Sequence, residues 1–177
     1  MNLLEKIRNV PDWPKKGVQF KDITTLIQDP KALKEAIDLM AAPYKKMVIQ
    51  KIVSMEARGF IFGSMVAYLI GAGFVPIRKK GKLPYKTVEF SYEKEYGPDV
   101  ITMHTDAIKP GEHVIILDDL LATGGTALAA AKLVEKLKGE VVEFCFLIEL
   151  TESLNGRKIL EDKGYKVRSI IQIPVEE

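Results

Sequence analysis

The segment VIILDDLLATGGTA, Val114 to Ala127, constrains this chain more than any other, because it demands a strand, a tight turn and a helix start in quick succession. Val114-Ile115-Ile116-Leu117 is unbroken and mostly β-branched, the pattern of a strand covered on both faces in a parallel sheet. Asp118 and Asp119 then fall at its carboxyl end. Open α/β sheets bind ligands in the crevice beyond those ends, and two adjacent carboxylates there are costly to desolvate unless donors reach them. A ribose diol supplies such donors. Ala122-Thr123-Gly124-Gly125-Thr126 follows and leads into Ala127 to Leu137, with Ala127, Ala130, Val134 and Leu137 at helical spacing. Glycines let backbone amides approach an anion, the threonines add hydroxyl donors, and a helix N-terminus favours negative charge. The combination points to a sugar phosphate. The alternative is an ordinary strand-to-helix turn whose aspartates cap the helix and whose glycines relieve sterics, and Gly-Gly-Thr alone would fit that better. A Walker-type loop is excluded, because no lysine follows Gly125.

Around this segment, strands and helices alternate. Leu3 to Asn9 reads as a short helix, followed by an irregular passage imposed by Pro11, Pro14 and Gly17. Asp29-Pro30 opens a helix as N-cap and first-turn proline, with Leu33, Ile37 and Met40 on one face. Val48 to Met55 is the first core strand, Gly59 to Ile70 a mostly apolar helix, and Phe74 to Ile77 a further strand. A basic loop, Arg78 to Lys86, precedes two alternating segments, Thr87 to Tyr92 and Asp99 to His104, that predict a hairpin with a charged tip. Val141 to Leu150 is a buried strand, Gly156 to Lys163 a helix, and Val167 to Ile173 an edge strand ended by Pro174. The alternation implies βαβ units, hence an α/β fold with a mostly parallel sheet.

With 177 residues, 47% of them apolar, the chain can bury one proper core, and a single domain over residues 1–177 is expected. The formal charge of +2 is spread along the sequence, which argues against general nucleic-acid binding. Cys145 is the only cysteine and sits in an apolar run, so neither an internal disulfide nor a cysteine metal site can form. His104 and His113 have no third ligand nearby and read as surface or hydrogen-bonding residues. MNLLEKIRNV lacks a signal-peptide core, and no apolar stretch reaches the ~20 residues that cross a bilayer, so a cytoplasmic protein with no membrane partner is expected.

Asp118 to Thr126 resembles the phosphoribosyl pyrophosphate signature of the type I phosphoribosyltransferases, and the wording DDLLATGGT is most similar to members that act on adenine. The resemblance implies that family's fold: a mostly parallel central sheet flanked by helices, with an N-terminal hood, here about residues 1–28, and a β-hairpin lid, about 79–104. It implies transfer of the phosphoribosyl group to adenine, giving AMP and pyrophosphate, with Mg²⁺ held mainly by substrate and water, and a homodimer. Asp118 and Asp119 would take the ribose hydroxyls, and Ala122, Thr123, Gly124, Gly125 and Thr126 the 5′-phosphate. Relatives acting on xanthine or hypoxanthine are the alternative. A non-catalytic regulator that senses phosphoribosyl pyrophosphate is another; such proteins carry a DNA-binding domain, for which the sequence before the first motif leaves no room.

Four further stretches match the family. SMEARGF, Ser54 to Phe60, is similar to its pyrophosphate loop, with Arg58 near the base and leaving group and one peptide between Met55 and Arg58 cis or strained; the plain alternative is an exposed Glu56–Arg58 pair at a helix start. RKKGKLP would give Arg78, Lys79 and Lys82 to pyrophosphate, with Lys80 on the surface; by itself such a run is a solvated turn. YEKEYG resembles the catalytic lid, making Glu95 and Tyr96 catalytic, against a charged hairpin tip with no chemical role. PDWPKKGVQFKDIT resembles the hood, with Phe20 stacking on the purine and the backbone around Gln19 and Lys21 reading its edge. Phe20 could equally be a core residue. Trp13, Lys16 and Lys21 depart from the commonest family wording, and only Lys21 would lie near the base.

Overall fold

The β-branched run at Val114 forms the strand that organises the sheet in the computed structural model, which describes residues 1–94 and 96–175. The chain divides into two compact units, Met1–Leu39 and Met40–Glu177.

In the first unit a short 3₁₀ turn, Leu3–Lys6, precedes β1 (Arg8–Pro11), which pairs antiparallel with β2 (Gln19–Asp22). The helix expected over Leu3 to Asn9 is therefore corrected to one turn and a strand. Val10 faces Phe20 in the register, and the Arg8 guanidinium closes the far end on Asp22 at 2.6 Å. Between the strands the Trp13–Pro14 peptide is cis, and the Trp13 ring packs edge-on against Phe20 at 4.5 Å. α1 (Thr24–Ile27) follows, and α2 (Pro30–Ala41) starts as expected. Asp29 Oδ1 accepts from the amides of Lys31 and Ala32 at 3.0 and 3.2 Å, satisfying two donors of the first turn.

The second unit holds a seven-stranded sheet: β3 (Lys51–Met55), β4 (Gly73–Lys79), β5 (Thr87–Lys94), β6 (Gly97–His104), β7 (His113–Leu121), β8 (Glu140–Glu152) and β9 (Val167–Val175), in the order β5-β6-β4-β3-β7-β8-β9. β4, β3, β7, β8 and β9 are parallel; β6 and β5 extend the sheet as an antiparallel hairpin. This is an α/β fold with a mostly parallel sheet. Val114, Ile115, Ile116 and Leu117 are all fully buried, each contributing about 1.5–3 kcal/mol of apolar burial. α3 (Arg58–Ile70) joins β3 to β4, and α4 (Gly125–Lys136) joins β7 to β8. The two crossovers run in opposite directions across the sheet, so right-handed connection puts the helices on opposite faces. Accordingly Ser54 faces Gly63 of α3, while Val53 and Met55 share a buried cluster with the alanines of α4. α5 (Gly156–Asp162) precedes β9.

β9 continues through Pro174, which pairs with Thr151, so proline does not end it. β9 is an edge strand, and a missing amide on the open side breaks no ladder bond. β7 likewise runs past the acids to Leu121.

Candidate functional site

The site follows from where β3 and β7 part. They pair only from Lys51–Val53 to Val114–Ile116, and beyond Ile116 β7 keeps a neighbour only in β8. The crossovers leaving these parallel strands also step in opposite directions, β3 to β4 on one side and β7 to β8 on the other, making the point where an open α/β sheet forms its ligand crevice. A cavity of about 330 Å³ lies there.

Asp118, Asp119, Ala122, Thr123, Gly124 and Thr126 line it, together with Arg58, Arg78 and Lys79. Gly124 has φ +85°, a left-handed conformation suited to glycine, and it is the N-cap of the twelve-residue α4, whose first amides have no partner within the helix. Gly125 is close by, with a Cβ there 3.9 Å from the Tyr92 ring. Amides and threonine hydroxyls thus surround the start of a helix dipole, facing two carboxylates.

Asp118 is half-buried, its Oδ1 accepting from the Asp119 amide at 2.8 Å. A Cβ at Gly59 would lie 2.5 Å from that oxygen, so the bare start of α3 makes room for the carboxylate. Burial, and then the charge of Asp119, push the Asp118 carboxyl well above the ordinary carboxylate range. Asp119 is 5% exposed, and its Oδ2 lies 3.0 Å from Arg58 Nε as an ion pair without hydrogen-bond geometry. Arg58 is thus tied to the acid pair. Glu56 pairs with Arg78 and Lys82. The Glu56–Ala57 peptide is cis, within the stretch where the resemblance placed one.

Glu56 gathers the cations. Its carboxylate accepts from the Lys79 amide at 2.7 Å and Lys82 Nζ at 2.9 Å, with Arg78 Nη2 at 3.5 Å. Burial acts to raise the Glu56 carboxyl, but these donors outweigh it and hold it below its ordinary value. Lys82 meets the site through Glu56 and is not itself a lining residue. Lys80 pairs with Glu89 at 3.3 Å, on the surface as expected.

The hairpin contributes residues that sequence reasoning missed. Tyr92, Lys94 and Asp99 all line the cavity. Tyr92 Oη lies 3.0 Å from Thr126 Oγ1, linking β5 to the start of α4. Lys94 Nζ pairs with Asp99 Oδ2 at 2.7 Å, which lowers the Asp99 carboxyl and raises the Lys94 ammonium. The signal that could have found Tyr92 is the period-two alternation of Thr87 to Tyr92, which puts it on the same face as Val88 and Phe90. Tyr96 is 81% exposed and not a lining residue. Glu95 lies outside the described residues. In the first unit Phe20 is half-buried against Trp13, while Asn9 Oδ1 accepts from Lys21 Nζ at 2.7 Å and Asn9 Nδ2 donates to Gln19 Oε1 at 2.8 Å.

Residues 22–176 match the model of the phosphoribosyl transferase domain. The chain is 57% identical to adenine phosphoribosyltransferase of Acetivibrio thermocellus, covering 97% of this chain and 99% of that one. Among solved structures, adenine phosphoribosyltransferase from Rhodothermus marinus is 52% identical with a TM-score of 0.91, covering 97% of this chain and 96% of that one. Adenine phosphoribosyltransferase from Saccharomyces cerevisiae, complexed with adenine and an imino-altritol bisphosphate, is 38% identical with a TM-score of 0.85, covering 94% and 95%.

Proposed function

Because the chain belongs to the phosphoribosyl transferase family, we propose that it transfers the phosphoribosyl group of phosphoribosyl pyrophosphate to adenine, giving AMP and pyrophosphate in purine salvage. One observation carries this: two carboxylates in the last pleats of β7 and the turn from Thr123 to Thr126 at the start of α4 share a single cavity with Arg58, Arg78 and Lys79.

The roles follow from chemistry. Asp118 and Asp119 accept from the ribose hydroxyls, and the turn's amides and hydroxyls take the 5′-phosphate. Arg58, Arg78, Lys79 and Lys82 neutralise pyrophosphate; with substrate bound, Arg78 and Lys82 exchange Glu56 for phosphate oxygens. The C1′–oxygen bond breaks with its electron pair leaving on pyrophosphate, and a purine nitrogen attacks C1′ from the opposite face. Water would capture such an oxocarbenium-like centre, so the hairpin acts as a lid, with Glu95 handling the purine-ring proton and Tyr96 closing over the reactants. Gln19, Phe20 and Lys21 are the proposed adenine contacts, an aromatic face with hydrogen bonds to the ring edge.

Mg²⁺ fits this donor set. The cavity offers hard carboxylate oxygens at Asp118 and Asp119, the donor type this ion takes beside water and substrate oxygens. When bound, it would supply charge neutralisation at the leaving pyrophosphate.

Among the described residues no helix is long and apolar enough to cross a membrane. A cytoplasmic location belongs to the reading; fractionation that recovers the protein outside the cytoplasm would remove it. A homodimer also belongs to it. Its support is the apolar surface on the second unit, where Tyr68 is 87% and Val48 71% exposed, with Met65 and Leu69 near Tyr68 on α3. Sedimentation should give twice the 19.8 kDa chain mass, and a monomer at micromolar concentration would remove the dimer.

Steady-state AMP formation tests the substrate. Adenine should be used with kcat/KM at least about a hundredfold above hypoxanthine, since an oxopurine leaves ring-edge hydrogen bonds unmade. Comparable use of hypoxanthine would reassign the base. In the same assay Glu95→Gln should lower kcat more than it raises either KM, and an unchanged kcat would remove Glu95 from the chemistry.

A further inference from the structure

The proposed reaction leaves unused a buried charge network beside the phosphate-binding turn. Glu149, near the end of β8, is 4% exposed although it is a carboxylate. Arg157 holds it in a two-pronged grip, Nε to Oε1 at 2.9 Å and Nη2 to Oε2 at 2.7 Å. Ser169 Oγ and Gln172 Nε2 donate to Oε2 at 2.6 and 3.4 Å. Arg157 Nη1 continues to the Val167 carbonyl at 2.7 Å and to Glu161 at 3.2 Å. A buried carboxylate supplied this fully with donors fixes the elements that carry them: β8, β9 and the first turn of α5.

Both ends of this grip adjoin the turn. Glu149 pairs in register with Leu121, the residue before Ala122. Arg157 follows Gly156, and a Cβ on Gly156 would lie 2.4 Å from the Ala122 carbonyl oxygen and 3.0 Å from Leu121 Cδ1. From the other side, a Cβ on Gly124 would lie 3.1 Å from the Gly156 oxygen. The turn and the start of α5 therefore meet backbone to backbone at Ala122, Gly124 and Gly156, with the Leu121 side chain packed alongside.

We propose that Arg157 and Glu149 are positioning residues for the phosphate-binding turn, acting through Gly156. The inference rests on the reading of Ala122 to Thr126 as the 5′-phosphate seat. Loosening the grip lets α5 withdraw from the turn and spreads the amides that converge on the phosphate. The loss falls on ligands carrying that phosphate, while pyrophosphate and adenine contacts stay in place.

The test compares wild type with Arg157→Lys, which keeps the charge but loses the fork, and with the double variant Glu149→Met/Arg157→Met. The double variant removes the buried carboxylate together with its half-buried counter-charge, leaving neither charge unpaired, and so keeps the protein foldable. Calorimetry would measure ribose 5-phosphate and pyrophosphate binding separately, beside KM for both substrates and kcat. In the double variant, Kd for ribose 5-phosphate and KM for phosphoribosyl pyrophosphate should rise together by about tenfold or more, with a smaller rise in Arg157→Lys. Kd for pyrophosphate, KM for adenine and kcat should stay within about twofold. Unchanged ribose 5-phosphate binding in a variant with a lowered melting temperature would overturn the inference and leave a purely structural pair. An equal loss of both ligands would overturn it also. Failure of the wild type to bind ribose 5-phosphate would overturn the seat itself, and the inference with it.

Discussion

Asp118→Asn is expected to raise KM for phosphoribosyl pyrophosphate by about ten- to a hundredfold while making the ligand-free protein more stable at neutral pH. The binding loss is that of a charge-assisted hydrogen bond to a ribose hydroxyl, about 1.5–3 kcal/mol. The stability gain has a separate cause. Burial, and then the Asp119 charge, raise the Asp118 carboxyl in the folded protein. A raised acid favours the folded state fully below its unfolded value, near 3.8, and loses that advantage as pH climbs through its folded value. At pH 7 the carboxyl is therefore a burden on the folded state that asparagine lacks. Asparagine has the same shape, so it fits against Gly59 and its Oδ1 still accepts from the Asp119 amide. Melting curves from pH 4 to 8 should fall more steeply with pH in wild type than in the variant. A variant that melts several degrees below wild type at pH 7, with KM unchanged, would return Asp118 to a structural role.

Arg58→Ala should lower kcat/KM for phosphoribosyl pyrophosphate by about 10²–10³, in the range found when one preorganised donor to developing charge is removed. Arg58 begins α3 directly after the cis peptide and lies 3.0 Å from the Asp119 Oδ2, in a residue that is 5% exposed. Its loss would leave a nearly buried carboxylate without its counter-ion and also take away a donor for the leaving group. Arg58→Lys should recover little, because a point charge cannot serve the acid and a phosphate oxygen in the geometry of the planar fork. Rates within threefold of wild type in the alanine variant would make Arg58 a surface pair, and full recovery by lysine would reduce it to a charge.

The central strand, the glycine turn and α4 were legible because local signals agreed: a β-branched run, two acids, two glycines and helical spacing. The cap at Asp29 was legible for the same reason. β1 was not, since LLEKIRNV carries apolar residues near helical spacing and its strand character comes from pairing with β2, including Arg8 with Asp22. The only partner that local spacing offers Glu56 is Arg58, two residues on, whereas the cations it meets sit 22 and 26 residues away, at and just beyond the end of β4. The same holds for Arg157 and Glu149, whose grip depends on how β8, β9 and α5 come together. Short-range patterns fix elements; the contacts that tune a site cross between them.

A crystal structure of the complex with AMP tests the account most directly. The 5′-phosphate should sit on the amides and hydroxyls of Thr123 to Thr126 at the start of α4, with the ribose hydroxyls donating to Asp118 and Asp119. A phosphate bound elsewhere, or ribose hydroxyls that leave both carboxylates untouched, would contradict it.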